Sequence, residues 1–110
     1  MKKSKELYYN LYELRFSIDK KHRFGIHVKL EEVMLKFLEI IITSALVKNK
    51  TDLLQQARID IEIVQYFIRM EHDLKIISHR QYAVISLQIE EIAKMTNGWH
   101  KSILQKSTHR

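Results

Sequence analysis

Six histidines (His22, His27, His72, His79, His100 and His109) and thirteen acidic residues are the groups in this 110-residue chain that could ligate a metal or trade protons. Their spacing argues against both roles. A di-iron helical bundle takes a glutamate three residues before a histidine on each of two helices, and no histidine here has one at that position. His27 with Glu31, and the run Glu71-His72-Asp73, need further ligands from elsewhere to hold a metal and read as surface ion pairs. Glu31-Glu32 and Glu90-Glu91 are adjacent in sequence, so on a helix their carboxylates splay apart as solvated faces. There is no glycine-rich phosphate loop, nucleophile elbow or supportable Ser-His-Asp order. The absence of cysteine removes thiolate ligands, disulfides and a Cys nucleophile. The expectation is a protein that is not an enzyme, with no metal, cofactor or small-molecule substrate.

The chemistry left is electrostatic. A net charge of +6 permits an anionic partner such as nucleic acid, although it also confers solubility. Lys48, Lys75, Lys101 and Lys106 fall in last turns of the expected helices, where a cation meets the helix dipole favourably and needs no ligand. His79 and Arg80 differ, because they open the last helix, where the dipole disfavours positive charge. Beside Lys20, Lys21, His22 and Arg23 they would form a basic pocket around exposed helix N–H groups, suited to a phosphate; the alternative is a solvated loop. Lys101 and Lys106 offer a second patch. Trp99 is expected to pack in the core or at an interface, with base stacking the minority alternative.

The elements that must position these groups are helices. Zero prolines and two glycines predict an all-α fold, since sheets need turn residues far more often. The helices are expected at about 3–18, 26–48, 52–75 and 78–104, forming one antiparallel up-down four-helix bundle over residues 1–110. Leu7, Leu11, Leu14 and Ile18 face the core from the first helix. Leu30, Val33, Met34, Phe37, Ile41 and Ala45 do so from the second, Leu54, Ala57, Ile61, Val64 and Ile68 from the third. Ser78 with Gln81 is a capping box that starts the last helix. Tyr82, Ile85, Ile89, Ile92, Met95 or Thr96, Trp99 and Ile103 form its stripe. Thr51 is expected to cap the third helix, Gly25 to supply a positive φ, and Phe24 to plug one end of the core. Gly98 should lie against a close neighbour, because a helical glycine otherwise costs about 1 kcal/mol relative to alanine.

The third helix carries a surplus stripe, Ile59, Ile63, Tyr66 and Met70. A helix of a monomeric bundle needs one stripe, so the second implies self-association or a docked protein partner; a broad core face is the alternative. In an up-down bundle the positive charge gathers at the two tips. The end with residues 19–25 and 75–80, counted with Asp73, has five bases against two acids, the opposite end eight against two. The most apolar run, residues 40–47, is far shorter than a membrane span, and Lys2, Lys3 and Lys5 do not lead into a signal-peptide core. A soluble, cytoplasmic protein is expected.

Several segments resemble a known family: Arg23-Phe24-Gly25-Ile26 after a basic loop, the helix end from Ser44-Ala45 to Asn49-Lys50, Leu74 to Ile77 followed by Ser78-His79-Arg80-Gln81-Tyr82, and Asn97-Gly98-Trp99-His100-Lys101-Ser102. Over about residues 7–104 the chain is similar to the four-helix bundle proteins grouped with the accessory variability determinant of diversity-generating retroelements. That grouping also includes proteins encoded in intervening sequences of bacterial ribosomal RNA genes. The resemblance implies a homopentameric barrel, basic on its surface, that binds the retroelement reverse transcriptase and RNA or DNA and supports mutagenic copying of template RNA into cDNA. It implies no catalytic residues. On the ribosomal branch, the implied role is an oligomeric protein-interaction scaffold. Asp19 departs from the family, which often has proline in that connection.

Overall fold

A heptad rhythm runs through every long helix. In the first, α1 (Lys2–Leu14), the buried residues are Ser4, Leu7, Leu11 and Leu14, and Ile18 just beyond continues the series. Steps of three and four keep one narrow seam turned toward the neighbours, as in left-handed bundles. The computed structural model describes the backbone of residues 2–108 and the side chains through Lys106. His109 and Arg110, which belong to the histidine set and the basic tip, lie outside the described residues. After the single helical turn α2 (Lys20–His22) come α3 (Val28–Leu46), α4 (Thr51–Asp73) and α5 (His79–Thr108). With α1 they make a four-helix, all-α bundle measuring 53 × 20 × 20 Å, with no strand among the described residues. None of these helices is long and apolar enough to cross a membrane.

The core seams follow the sequence closely on α1 and α4, where every residue expected inside is buried. Elsewhere some expectations fail. Ala45 is exposed, and Ser44 and Leu38 take core places instead, because the steps of three and four through Leu30, Met34, Phe37 and Ile41 land on Ser44 and pass Ala45 by. Phe24 is no plug: it is 67% exposed. Thr51 is the first helical residue of α4, while Lys50 stands at the cap without a side-chain hydrogen bond.

The connection between α1 and α3 is wound where a loop was expected. Arg15–Ser17 tightens into a 3-10 turn, Ile18 and Asp19 are extended, and the chain re-enters helix at Lys20. The Asp19 carbonyl accepts from the amides of His22 and Arg23, both at 2.9 Å. Arg23–His27 then forms a wide π-turn in which Gly25 adopts φ −102°, ψ −112°. Its φ is thus negative, not positive; glycine is needed because ψ lies outside the regions open to other residues.

The turn into α5 is built by two devices. The capping box forms as expected: Ser78 Oγ accepts from the Gln81 amide at 3.0 Å, and Gln81 Oε1 accepts from the Ser78 amide at 2.8 Å. The end of α4 closes as a Schellman motif. The Ile76 amide donates to Glu71 O at 2.8 Å and the Lys75 amide to His72 O at 3.0 Å, while Lys75 takes the left-handed position (φ 60°) usually given to glycine.

Candidate nucleic-acid and partner interface

The basic groups at the first tip divide into presented and occupied. Lys20, Lys21 and Arg80 are exposed and make no ion pair among the described residues. Arg23 is occupied: its Nε donates to Arg15 O at 3.0 Å and a terminal nitrogen to Ile18 O at 3.3 Å. It therefore closes the end of the first helix, satisfying carbonyls that helix termini leave without partners. His79 Nδ1 lies 3.2 Å from His72 Nε2. The capping box already takes the Ser78 and Gln81 amides, so a phosphate there would have to compete for them. Gln81 Nε2 donates to Ser17 Oγ at 3.3 Å, bringing the start of α5 to the segment that leads into Lys20 and Lys21. Arg80 lines a groove of about 330 Å³ with Asn10, Leu14, Gln81, Val84 and Ile85.

Lys101 and Lys106 are exposed near the far end of α5. Twenty-one residues separate Lys101 from Arg80, about 32 Å at ~1.5 Å per residue. The two basic patches are separate surfaces.

The surplus stripe stays outside. Ile59 is 44%, Tyr66 67% and Met70 46% exposed, and Ile63 is half-buried. A groove of about 450 Å³ runs beside them, lined by Gln55, Arg58, Ile59, Glu62, Ile63, Tyr66 and Asn97. Arg58 ties its two helices together, donating to Gln55 Oε1 and Asn97 Oδ1, both at 2.9 Å, and lying 3.1 Å from His100 Nδ1. Trp99 does not join this groove. It is half-buried against the core, with Lys50 Nζ 5.6 Å from its ring centre, and lines a different cavity of about 230 Å³ with Ser4, Ile41, Ile92, Met95 and Thr96. Gly98 has nothing within 4 Å of where a Cβ would stand, so the close neighbour expected there is absent from the protomer.

Of the groups read as surface ion pairs, His27, Glu31 and Glu71 are instead buried. His27 and Glu71 have no exposed side-chain surface. His27 Nδ1 donates to Glu71 Oε2 and Nε2 to Leu11 O, each at 2.8 Å. Glu31 Oε1 is 3.8 Å from His27 Nε2, and Arg15 bonds the other Glu31 oxygen. Two cations thus face two carboxylates, joining α1, α3 and α4. Burial alone would lower the His27 pKa, but the hydrogen bond and charge of Glu71, with Leu11 O and Glu31, outweigh it and hold the imidazole above its ordinary value. The His27–Glu71 pair is closed off inside the core and braces helices, while Arg15 and Glu31 border a surface groove of about 260 Å³ with Phe16, Arg23, Phe24 and Val28.

His72 is half-buried, and its Nδ1 lies 3.4 Å from Asp73 Oδ1, so that neighbouring pair does sit near the surface. Among the described residues no three His, Asp or Glu side chains converge as a metal set.

A family model described as bAvd-like matches residues 1–103. No curated protein and no solved structure matches the chain. The match agrees with the likeness carried by the turn motifs and with the four-helix bundle built on them: the chain belongs to the bAvd-like family.

Proposed function

We propose that this chain is a non-enzymatic accessory protein of a diversity-generating retroelement, acting in the cytoplasm. It binds the reverse transcriptase together with template RNA or cDNA and supports mutagenic reverse transcription. Its protomer is an antiparallel up-down bundle that assembles into a homo-oligomeric, pentameric barrel. The observation that carries the reading is the bAvd-like match over residues 1–103. Side-chain pairs from α1 and the 3-10 turn after it to α5 support the helix directions, since Lys3 meets Glu91, Asn10 meets Gln88 and Ser17 meets Gln81. The exposed Ile59, Tyr66 and Met70 support assembly or a docked polymerase. Lys20, Lys21 and Arg80 support phosphate contact, with Lys101 and Lys106 as a second patch.

Binding through such groups is largely independent of sequence and falls steeply with salt, because released counterions drive it. A Lys20→Glu, Lys21→Glu, Arg80→Glu variant should bind structured RNA more weakly and lower the salt slope by about two, near 0.7 for each single-strand phosphate that no longer meets a cation. Arg23 is left in place because its role in closing the first helix would confound the result. A folded triple variant with unchanged affinity and slope removes the assignment. The second reading, a ribosomal intervening-sequence-type scaffold, draws on the apolar groove beside Tyr66 and on the occupied amides at the start of α5. Failure of the wild-type oligomer to retard RNA even at low salt favours it.

A further inference from the structure

The turn between α4 and α5 holds a pair of imidazoles that the proposed nucleic-acid surface does not need. His72 Nε2 and His79 Nδ1 face one another at 3.2 Å. Two imidazole nitrogens bound to a single tetrahedral zinc at ~2.0–2.1 Å each stand about 3.3 Å apart, so the pair is already at chelating separation. His72 is also held in place. Its remaining nitrogen, Nδ1, lies 3.4 Å from Asp73 Oδ1, and its ring stacks on Tyr82 with centres 4.4 Å apart and planes 26° from parallel. A carboxylate beside the far nitrogen of a liganding histidine is a recurrent outer-shell arrangement that favours the other nitrogen as ligand, and Asp73 stands near enough to take that role when metal binds. The backbone between the histidines is fixed by the Schellman closure at Lys75 and by the Ser78–Gln81 capping box, so little ordering remains to be done on binding. His79 is exposed, which gives an ion a way in.

We propose that His72 and His79 form an open two-imidazole site for a divalent transition metal, positioned by Asp73 and Tyr82. Nitrogen ligands without thiolate suit zinc, nickel or copper. No third His, Asp or Glu among the described residues completes the set, so water fills the remaining positions. Bound metal would clip the last turn of α4 to the first turn of α5.

The test is calorimetric titration of the metal-stripped full chain with Zn²⁺ at pH 7.5 in a non-chelating buffer, paired with melting curves at rising Zn²⁺. The His72→Gln/His79→Gln double variant supplies the background from every other imidazole. The proposal expects wild type to bind one Zn²⁺ per chain at least about tenfold more tightly than the double variant, and its melting temperature to rise with Zn²⁺ concentration. Asp73→Asn should fall between them, as loss of an outer-shell partner does. If the double variant does not fold, His79→Gln alone carries the comparison, since that side chain is exposed. Equal zinc affinity in wild type and variant, or a melting temperature that zinc leaves unmoved, overturns the site.

Discussion

The two faces of α4 invert the usual association between polarity and burial. The inner face, Leu54, Ala57, Asp60, Ile61, Val64, Ile68 and Glu71, includes two buried carboxylates and ends in one with no exposed surface. On the outer face, Ile59, Tyr66 and Met70 are apolar and open. Place in the heptad decides burial, and chemistry then has to be reconciled with it. Inside, each carboxylate meets a counter-charge: Glu71 faces an imidazolium, Arg15 balances Glu31, and buried Asp60 accepts from Gln56 with Lys36 Nζ 3.6 Å away. Outside, the protomer offers nothing to cover the stripe.

The contrast breaks most sharply on the inner side. Glu71→Ala strands the His27 imidazolium in the core, and removing one partner of a buried pair costs about 3–5 kcal/mol. Urea unfolding followed by circular dichroism measures it; a loss below about 1 kcal/mol would mean that water reaches the cluster. Replacing both members, as in His27→Leu/Glu71→Leu, should recover part of the loss, because no unpaired charge is then left by that pair.

Titrating His27 draws on the same pair without a mutation at Glu71. Its folded pKa is raised above the unfolded value of about 6.5, so the folded state binds the proton more tightly. That stabilisation is fully present below about pH 6.5 and is lost as pH rises through the raised value. Urea midpoints from pH 6 upward should therefore fall in wild type, and His27→Gln should remove this component of the slope. A wild-type slope identical to that of the variant would place the charge elsewhere.

How much of this was legible differs between the two faces. The seams of α1 and α4 could be read directly, because leucine, isoleucine and valine at steps of three and four admit few alternatives. Glu71 was missed although it continues the series Leu54, Ala57, Ile61, Val64, Ile68 at the next step of three. His27 likewise stands three residues before Leu30 and seven before Met34. A search for apolar stripes discards such residues, whereas a search for charged residues in seam positions would have found both. The winding of residues 15–27 was not legible, since it depends on where the Arg23 guanidinium finds the carbonyls of Arg15 and Ile18. The same interaction takes Arg23 out of the presented cations, leaving Lys20, Lys21 and Arg80 exposed at the basic tip. Lys75 in a left-handed conformation leaves no trace in composition either; a glycine there would have.

A smaller effect, of opposite sign, probes whether the outside of α5 is covered. Gly98 is exposed and a Cβ there meets nothing within 4 Å, so Gly98→Ala should stabilise an isolated protomer by about 1 kcal/mol through helix propensity. Thermal or urea unfolding at a concentration where the chain is monomeric reads this. If the gain vanishes or reverses as concentration rises, a second surface approaches Gly98 in the assembly.

The smallest expected change in protomer stability comes from the face that prompted the partner reading. Ile59→Asp and Tyr66→Ala remove exposed apolar surface and touch no charge network, so each should shift unfolding of the single chain by no more than about 0.5 kcal/mol. Arg58, which joins α4 to α5 through Asn97 and His100, is left in place, keeping the groove floor intact. Mass from light scattering then separates the two accounts of the stripe. If it packs against a second copy, the Asp carboxylate must be buried without a partner and the assembly falls apart. An unchanged mass with unchanged stability would make these side chains ordinary exposed apolar surface, which every folded protein carries. The inner face cannot give that separation, because a charge lost from the seam changes the stability of the protomer itself along with any assembly.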